Sequence, residues 1–351
     1  MEQNPTQKKN KKKGNKKLRT ILTVAALAIV IAGAAVAYSV LSARSTADGM
    51  LYVRAEMTKQ DVADSLNVHF GKKFADKVML LTTYRDFEPV RRSGAYRITK
   101  GMTAVEAWRM LVSGRQTPVK FTFNNLRTLD DFAQTADRQL AMSKEDILKL
   151  LTDSTHCASL GFNPQTIPAM LIPDTYEVYW AIKPEDLLKK MKGNFDNYWT
   201  ETRVNQAGKL GLSPVDVATL ASIVEEETAA KDERGTVARL YLNRLHKGMP
   251  LQSDPTVKFA IGDETLRRIT LEHLKTESPY NTYIHQGLPP GPIRLPEKST
   301  LTAILNAPVH DYIYMCAKED FSGRHNFTNN YATHINNAHR YQAELNRRGI
   351  K

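Results

Sequence analysis

Cysteine is scarce in this chain of 351 residues, which contains only Cys157 and Cys316. The two are far apart in sequence, so they can pair in an oxidising compartment but cannot form a disulfide-rich scaffold. We expect Cys316 to pack in a buried strand. No Cys/His cluster has the spacing of a zinc site, and no glycine-rich phosphate loop is present. The sequence therefore predicts no metal and no cofactor.

Acidic residues are fewer than basic ones, 37 against 49, which gives a formal net charge of +12. Residues 1–19 hold eight Lys or Arg and one acidic residue, so +7 of that charge lies in the first nineteen positions. A basic tail can bind nucleic acid. Residues 21–41, however, contain no charged side chain, and a helix of this length crosses a hydrocarbon core of about 30 Å.

A cleaved signal peptide and a buried core helix are the alternatives to a membrane span here. The apolar segment of a signal peptide is usually about 7–15 residues long, and YSVLSARS, which follows this run, is a poor cleavage site. The positive-inside rule then makes residues 1–19 a cytoplasmic tail, 20–42 a transmembrane helix and the remainder extracytoplasmic. We expect a single-pass inner-membrane protein whose tail contacts anionic lipid, with no nucleic-acid partner.

Short strands and helices alternate over residues 45–125, which predicts a small α+β module. Thr103 and Glu106 form a capping box ahead of an apolar helical stripe. Residues 126–170 read as a helical connecting region. The chain beyond is predicted to be helical from 195 to 245, loop-rich and strand-like to about 333, and helical again over 334–348. The fold class is therefore mixed α+β.

Three consecutive glutamates, Glu225, Glu226 and Glu227, end a predicted helix that begins after Ser213. Helical periodicity places Glu227 on the apolar stripe and Glu226 on the most solvated side. Glu225 lies over a face of small residues. Burial among apolar groups raises a carboxyl pKa and keeps a proton available near neutral pH, as a general acid requires. A cap or a salt bridge to Arg234 or Arg239 is an equally weighted role for Glu227.

Several further motifs, in this order along the chain, resemble those of the YceG-like family of endolytic murein transglycosylases. They are PDTY at 173–176, ASIVEEET at 221–228, ERGTVARLYLNRLHKGMPLQSDPTVKFAIG at 233–262, SPYNTY at 278–283, GLPPGPI at 287–293 and GRHNFT at 323–328. The resemblance covers roughly residues 45–340. It implies a LysM-like module at 45–125 and a YceG-like catalytic domain at 171–348. The resemblance also implies that the substrate is the peptidoglycan glycan strand, cut between MurNAc and GlcNAc to terminate strand elongation. Cell-wall synthesis proteins are then expected partners.

A lytic transglycosylase needs one carboxyl group, which protonates the glycosidic oxygen and then accepts the proton of the MurNAc C6 hydroxyl. We identify Glu227 as the catalytic residue and Glu225 as a candidate supporting acid. The candidate substrate-binding residues are Gln252, Asp254, Tyr280, Asn281, Tyr283 and His325. One departure from the family is visible at Pro168-Ala169, where an acidic-glycine pair is common.

Two other functions stay open at this point. One is a membrane-anchored scaffold that binds glycan without cleaving it. The other is a muramidase that uses two carboxylates, with Asp254 or Glu225 as the second and reducing ends on its products.

Overall fold

The computed structural model describes residues 5–263, 266 and 269–349, with side chains from residue 16 onward. The chain forms two compact units. One comprises residues 1–119 and 179–181, and the other comprises residues 120–178 and 182–351. Both contain helices and short strands, so the predicted mixed α+β class is confirmed.

The first unit begins with a long helix and continues as a small α+β core. Its elements are α1 (Pro5–Leu41), β1 (Gly49–Val53), α2 (Lys59–Phe70), α3 (Lys72–Thr82), β2 (Gly94–Ile98) and α4 (Ala104–Ser113). Strands β1 and β2 are antiparallel with Leu51 opposite Tyr96, and both side chains are buried. The capping box between Thr103 and Glu106 is present, so α4 starts where its sequence predicts.

Helix α1 contains the expected apolar segment. Its Lys16–Leu41 part is 26 residues long and contains an 18-residue stretch with a mean hydropathy of 2.5, so it is long and apolar enough to cross a membrane, and that stretch is not buried. The side chains of Ile29 and Tyr38 are 72% and 75% exposed, which is costly in water and suits lipid.

The second unit is mostly helical, with two small sheets. Its elements are β3 (Val119–Phe123, which starts at the boundary), α5 (Leu129–Gln139), α6 (Lys144–Thr152), α7 (Ser154–Ser159), β4 (Asp174–Val178), α8 (Pro184–Tyr198), α9 (Glu201–Lys209), α10 (Pro214–Glu227), α11 (Arg234–His246), α12 (Asp254–Ile261), α13 (Lys298–Leu305), β5 (Tyr314–Ala317), β6 (His325–Thr328) and α14 (Tyr331–Arg347). Strand β3 pairs with β4, and β5 pairs with β6 antiparallel. The prediction of loops and strands between 245 and 333 was wrong for α12 and α13, whose short apolar stretches do not reveal their helical period.

Helix α10 is the central element of the second unit. Ser213 and Asp216 form a reciprocal capping box at its start, with Pro214 in the first turn. Helices α11, α12 and α13 pack against it, and every residue from Val217 to Glu225 is buried. Even Glu226, which was predicted to lie on the most solvated side of this helix, exposes only 16% of its side chain.

The two cysteines do not pair. Cys157 is buried in α7 and Cys316 lies half-buried in β5, and both are free thiols. Cys316 is therefore in a strand, as expected, but is not fully buried there. Burial raises the pKa of both thiols.

Candidate active site

A cavity of about 360 Å³ opens beside the C-terminal end of α10. Five of the sequence-predicted site residues line it. These are Glu227, Gln252, Asp254, Tyr283 and His325. They come from four separate stretches of sequence, so the fold brings together most of the residues that the motifs indicated.

Glu227 is the last residue of α10 and reaches this cavity. Its Oε1 atom accepts hydrogen bonds from two hydroxyl groups, Tyr241 Oη at 2.7 Å and Ser253 Oγ. Burial raises the pKa of Glu227, while the bonds from Ser253 and Tyr241 oppose the rise. The alternative of a salt bridge to Arg234 or Arg239 is not what the structure has, because hydroxyls rather than cations hold the carboxyl group. The geometry suits a neutral acid that can release its proton.

Glu225 is also buried, with only 1% of its side chain exposed, but its surroundings differ. Arg294 Nε lies 3.2 Å from its Oε2 and Arg234 Nη1 lies 3.7 Å from its Oε1. Thr300 Oγ1 and the Glu297 backbone N–H also donate to Oε1. These contacts compensate a buried charge, and Glu225 does not line the cavity. The structure therefore places the suggested supporting acid in an ion-pair network instead.

Glu226 belongs to the same network. Its carboxylate pairs with Arg127 at 2.8 Å and with Arg294 at 2.7 Å, and only 16% of its side chain is exposed. Arg294 thus joins two neighbouring glutamates to the loop that contains it. The end of α10 is fixed in place by cations around Glu225 and Glu226, whereas Glu227 has no cationic partner within salt-bridge distance among the residues that the structure describes.

Asp254 and Tyr283 form a hydrogen-bonded pair on the cavity wall. Asp254 is the first residue of α12, and Tyr283 Oη donates to its Oδ1 at 2.6 Å. Burial raises the pKa of Tyr283, and the bond to Asp254 adds to the rise, so the phenol stays a donor. Asp254 therefore also orients a cavity residue, in addition to the turn-initiating role that its position before Pro255 suggested.

Gln252 occupies a strained backbone position next to Glu227. Its φ is +54°, in the left-handed region that non-glycine residues rarely adopt. Its backbone N–H donates to the Thr282 carbonyl at 3.1 Å, and its side-chain oxygen accepts from Arg244 Nη1 at 3.3 Å. Strain of this kind is found at functional sites, where surrounding contacts hold it.

His325 lies on β6 at the cavity and is held by a carboxylate. Its Nδ1 lies 3.2 Å from Glu233 Oε2, and its backbone N–H donates to Glu233 Oε1 at 3.2 Å. The ring partner among the described residues is therefore a carboxylate and not a backbone carbonyl. A carboxylate on one ring nitrogen fixes the ring orientation and leaves the other nitrogen for a ligand.

Tyr280 and Asn281 do not line this cavity. Tyr280 packs on Phe259 with ring centroids 4.7 Å apart and borders a separate groove. Asn281 is fully buried, and its Nδ2 donates to the carbonyls of Leu274 and Thr276, both at 2.9 Å. An amide that is satisfied in this way shapes the SPYNTY loop and cannot contact substrate.

Sequence reasoning missed three side chains at the site: Tyr241, Arg244 and Ser253. Tyr241 lies in the middle of α11, where nothing in the neighbouring sequence marks it as a site residue, and Ser253 stands in a motif next to more conspicuous polar residues. Arg244 holds the wall through the carbonyls of Leu251 and Ile313. In the part of the chain that the structure describes, no group of three or more His, Cys, Asp or Glu residues is arranged to hold a metal ion.

The sequence profile of the YceG-like family matches residues 51–340, which include both the cavity and the small α+β core. The chain belongs to the YceG-like family. It is 31% identical over 245 residues to an endolytic murein transglycosylase of Bacillus subtilis, an alignment that covers 65% of this chain and 68% of that protein.

Two further relatives support this membership. An endolytic murein transglycosylase of Streptococcus pneumoniae is 26% identical over 294 residues, 75% of this chain. This chain spans about half of that streptococcal protein, 53%. The crystal structure of a YceG-like protein from Listeria monocytogenes superposes with a TM-score of 0.55 at 26% identity, and covers 83% of this chain and 99% of that one.

Proposed function

We propose that this protein is a membrane-anchored endolytic murein transglycosylase, a carbon–oxygen lyase that cuts peptidoglycan glycan strands between MurNAc and GlcNAc. The observation that carries the proposal is the carboxyl group of Glu227, which is half-buried at the end of a buried helix, bonded only to hydroxyls among the described residues, and placed at a polar cavity. The names of the curated relatives supply the reaction class.

In the proposed reaction Glu227 starts as a neutral acid. It donates its proton to the glycosidic oxygen while the bond between that oxygen and MurNAc C1 breaks. The C6 hydroxyl oxygen of the same MurNAc then bonds to C1, and its proton passes to the Glu227 carboxylate. The products are a GlcNAc 4-hydroxyl and a 1,6-anhydro-MurNAc end, with no water consumed. The intramolecular attack benefits from a high effective molarity.

The other cavity residues bind the strand in this proposal. Gln252, Asp254 and Tyr283 form one wall, and His325 offers its remaining ring nitrogen to an acetamido or lactyl group. Cleavage within nascent strands ends their elongation, which gives the enzyme its place beside the cell-wall synthesis machinery.

The proposed domain organisation follows the sequence-based one: a cytoplasmic tail at 1–19, a membrane span at 20–42, a LysM-like module at 45–125, a connecting region at 126–170 and a catalytic domain at 171–348. The order β1–α2–α3–β2 within residues 45–125 supports a strand–helix–helix–strand module of the LysM kind. The apolar, exposed helix α1 supports the anchor.

A muramidase with two carboxylates is the second candidate, because Asp254 lines the same cavity as Glu227. It would use water and leave reducing ends. Asp254 accepts a hydrogen bond from Tyr283, so one oxygen of the Asp254 carboxylate already has a partner. This favours the reaction that uses a single acid.

The test compares Glu227→Gln with the wild type, as full-length proteins in detergent acting on purified glycan strands. Glutamine keeps the shape of the side chain but carries no transferable proton, so we expect release of soluble fragments to fall by at least about 100-fold. Glu177→Gln is the matched control, since Glu177 is exposed on β4 and does not line the cavity, and it should retain most of the activity. Normal cleavage by Glu227→Gln would rule out this residue as the acid.

A further inference from the structure

Two hydroxyl groups donate to one and the same oxygen of Glu227. Tyr241 Oη and Ser253 Oγ both contact Oε1. Within the described part of the chain, no group donates a hydrogen bond to the other oxygen, Oε2. The two oxygens of this carboxyl group are therefore not equivalent, although they would be in solution.

The fold holds both hydroxyls in place. Tyr241, on α11, is 2% exposed, so its phenol cannot turn to solvent. Ser253 is fully buried, and its backbone N–H donates to Thr282 Oγ1 at 3.0 Å. Thr282 is itself bonded to Thr256 Oγ1 at 2.8 Å. Gln252, which precedes Ser253, has its backbone in the left-handed region, with a φ of +54°. The fold thus places two buried hydroxyl groups against a single oxygen of Glu227, Oε1.

We propose that Tyr241 and Ser253 are positioning residues that fix Oε1 of Glu227 as a hydrogen-bond acceptor, so that the transferable proton is carried by Oε2. This inference rests on the proposed function. Oε2 then gives the proton to the glycosidic oxygen and later receives the C6 hydroxyl proton, while Oε1 keeps both hydroxyl partners throughout. The proton returns to the oxygen that lost it, so the enzyme ends each turnover in its starting state.

The two hydroxyls also favour the reaction energetically. Negative charge develops on the carboxylate as Oε2 loses its proton, and hydrogen bonds to a charged acceptor are stronger than those to a neutral one. The bonds at Oε1 thus strengthen in the transition state relative to the ground state, which is the condition for raising the rate.

The test is Tyr241→Phe, which removes one donor and leaves the ring. We expect the maximal rate of glycan cleavage to fall about tenfold. We also expect the alkaline limb of the pH–rate profile to move to higher pH, because a carboxylate that has lost a donor holds its proton more tightly. Ser253→Ala should move the limb in the same direction. Tyr198→Phe is the matched control, since this buried phenol bonds Thr302 and does not line the cavity.

The pH profile separates positioning from a structural role. A Tyr241→Phe protein with a wild-type profile and rate would overturn the proposal, and so would a lower rate with an unmoved alkaline limb. Glu227→Gln, assayed in parallel, separates this inference from the assignment of the acid. If Glu227→Gln is active, the acid is wrongly assigned. If it is inactive while the Tyr241→Phe profile is unmoved, only the role of the tyrosine is wrong.

Discussion

Glu225 and Glu227 are two residues apart on one buried helix, and their partners give them different chemistry. Two guanidinium groups compensate the charge of Glu225, whereas Glu227 has hydroxyl partners that also tolerate the neutral form. Removing one partner of a buried ion pair strands the others, and this typically costs about 3–5 kcal/mol. Glu227 can become neutral without leaving a buried cation unpaired, so no such cost in stability arises.

The pH dependence of stability follows from the raised pKa of Glu227. The native state holds this proton to higher pH than the unfolded chain does, so the unfolded state binds fewer protons and stability falls as pH rises through that window. Glutamine does not titrate. We therefore expect Glu227→Gln to become more stable than wild type as pH increases from mildly acidic to mildly alkaline, measured by thermal melting at each pH.

Glu225→Gln serves as the contrasting variant in the same melts. It leaves Arg234 and Arg294 buried without their shared carboxylate, so near neutral pH it should unfold at a lower temperature than wild type, by about 3 kcal/mol of stability. If Glu227→Gln were the less stable of the two at alkaline pH, the roles of the glutamates would have to be exchanged.

At the scale of elements, α10 shows which features of a helix local sequence predicts and which it does not. Ser213, Pro214 and Asp216 predict the start of the helix because a capping box is a contact between residues three apart. Periodicity selected Glu227 on the premise that one face is buried, yet all faces are buried. Glu225 differs from Glu227 by its ion pair with Arg294, which lies 69 positions along the chain from Glu225. Helical periodicity carries no information on such a long-range contact.

The cavity wall was predictable to a similar degree. Gln252, Asp254, Tyr283 and His325 were singled out within motifs, and they do line the cavity. Tyr241 and Ser253 were not singled out. Tyr241 approaches Glu227 only through the packing of α11, and Ser253 only through the placement of the start of α12. Motifs indicate which segments meet, whereas the side chains that face the ligand depend on tertiary packing.

The loop from Gly287 to Glu297 docks onto the end of α10. The Ile293 backbone N–H donates to Ser222 Oγ at 2.9 Å, and the Glu297 N–H donates to Glu225 at 2.8 Å. Close approach is needed at Gly291, where a Cβ atom would lie 1.9 Å from the Gln165 carbonyl oxygen. Only glycine fits there without moving backbone.

We therefore expect Gly291→Ala to destabilise the protein by about 1–3 kcal/mol and to lower activity through displacement of this loop. Denaturant unfolding and glycan cleavage measure the two effects. Gly208→Ala is the control: this helical glycine has open space around it, and alanine there should be neutral or stabilising by about 1 kcal/mol. Equal behaviour of the two variants would contradict the close packing at Gly291.

At the scale of the whole molecule, the basic tail and α1 make a prediction about topology. Lys and Arg residues flanking a span stay on the cytoplasmic side, so the C-terminus should be extracytoplasmic. A reporter that is active only in the cytoplasm, fused after Lys351, should be silent, and the same reporter fused before residue 1 should be active. The reverse pattern would place the proposed catalytic domain in the cytoplasm, away from peptidoglycan, and would contradict the proposed function.

The central claim is that one carboxyl group cuts the strand without water, and the chemistry of the product ends tests it most directly. Purified glycan strands digested with the full-length protein can be analysed by mass spectrometry. A lytic transglycosylase gives 1,6-anhydro-MurNAc ends, lighter by one water molecule than the hydrolytic product, and their formation should cease with Glu227→Gln. Products that carry only reducing ends would contradict the account and identify a two-carboxylate muramidase.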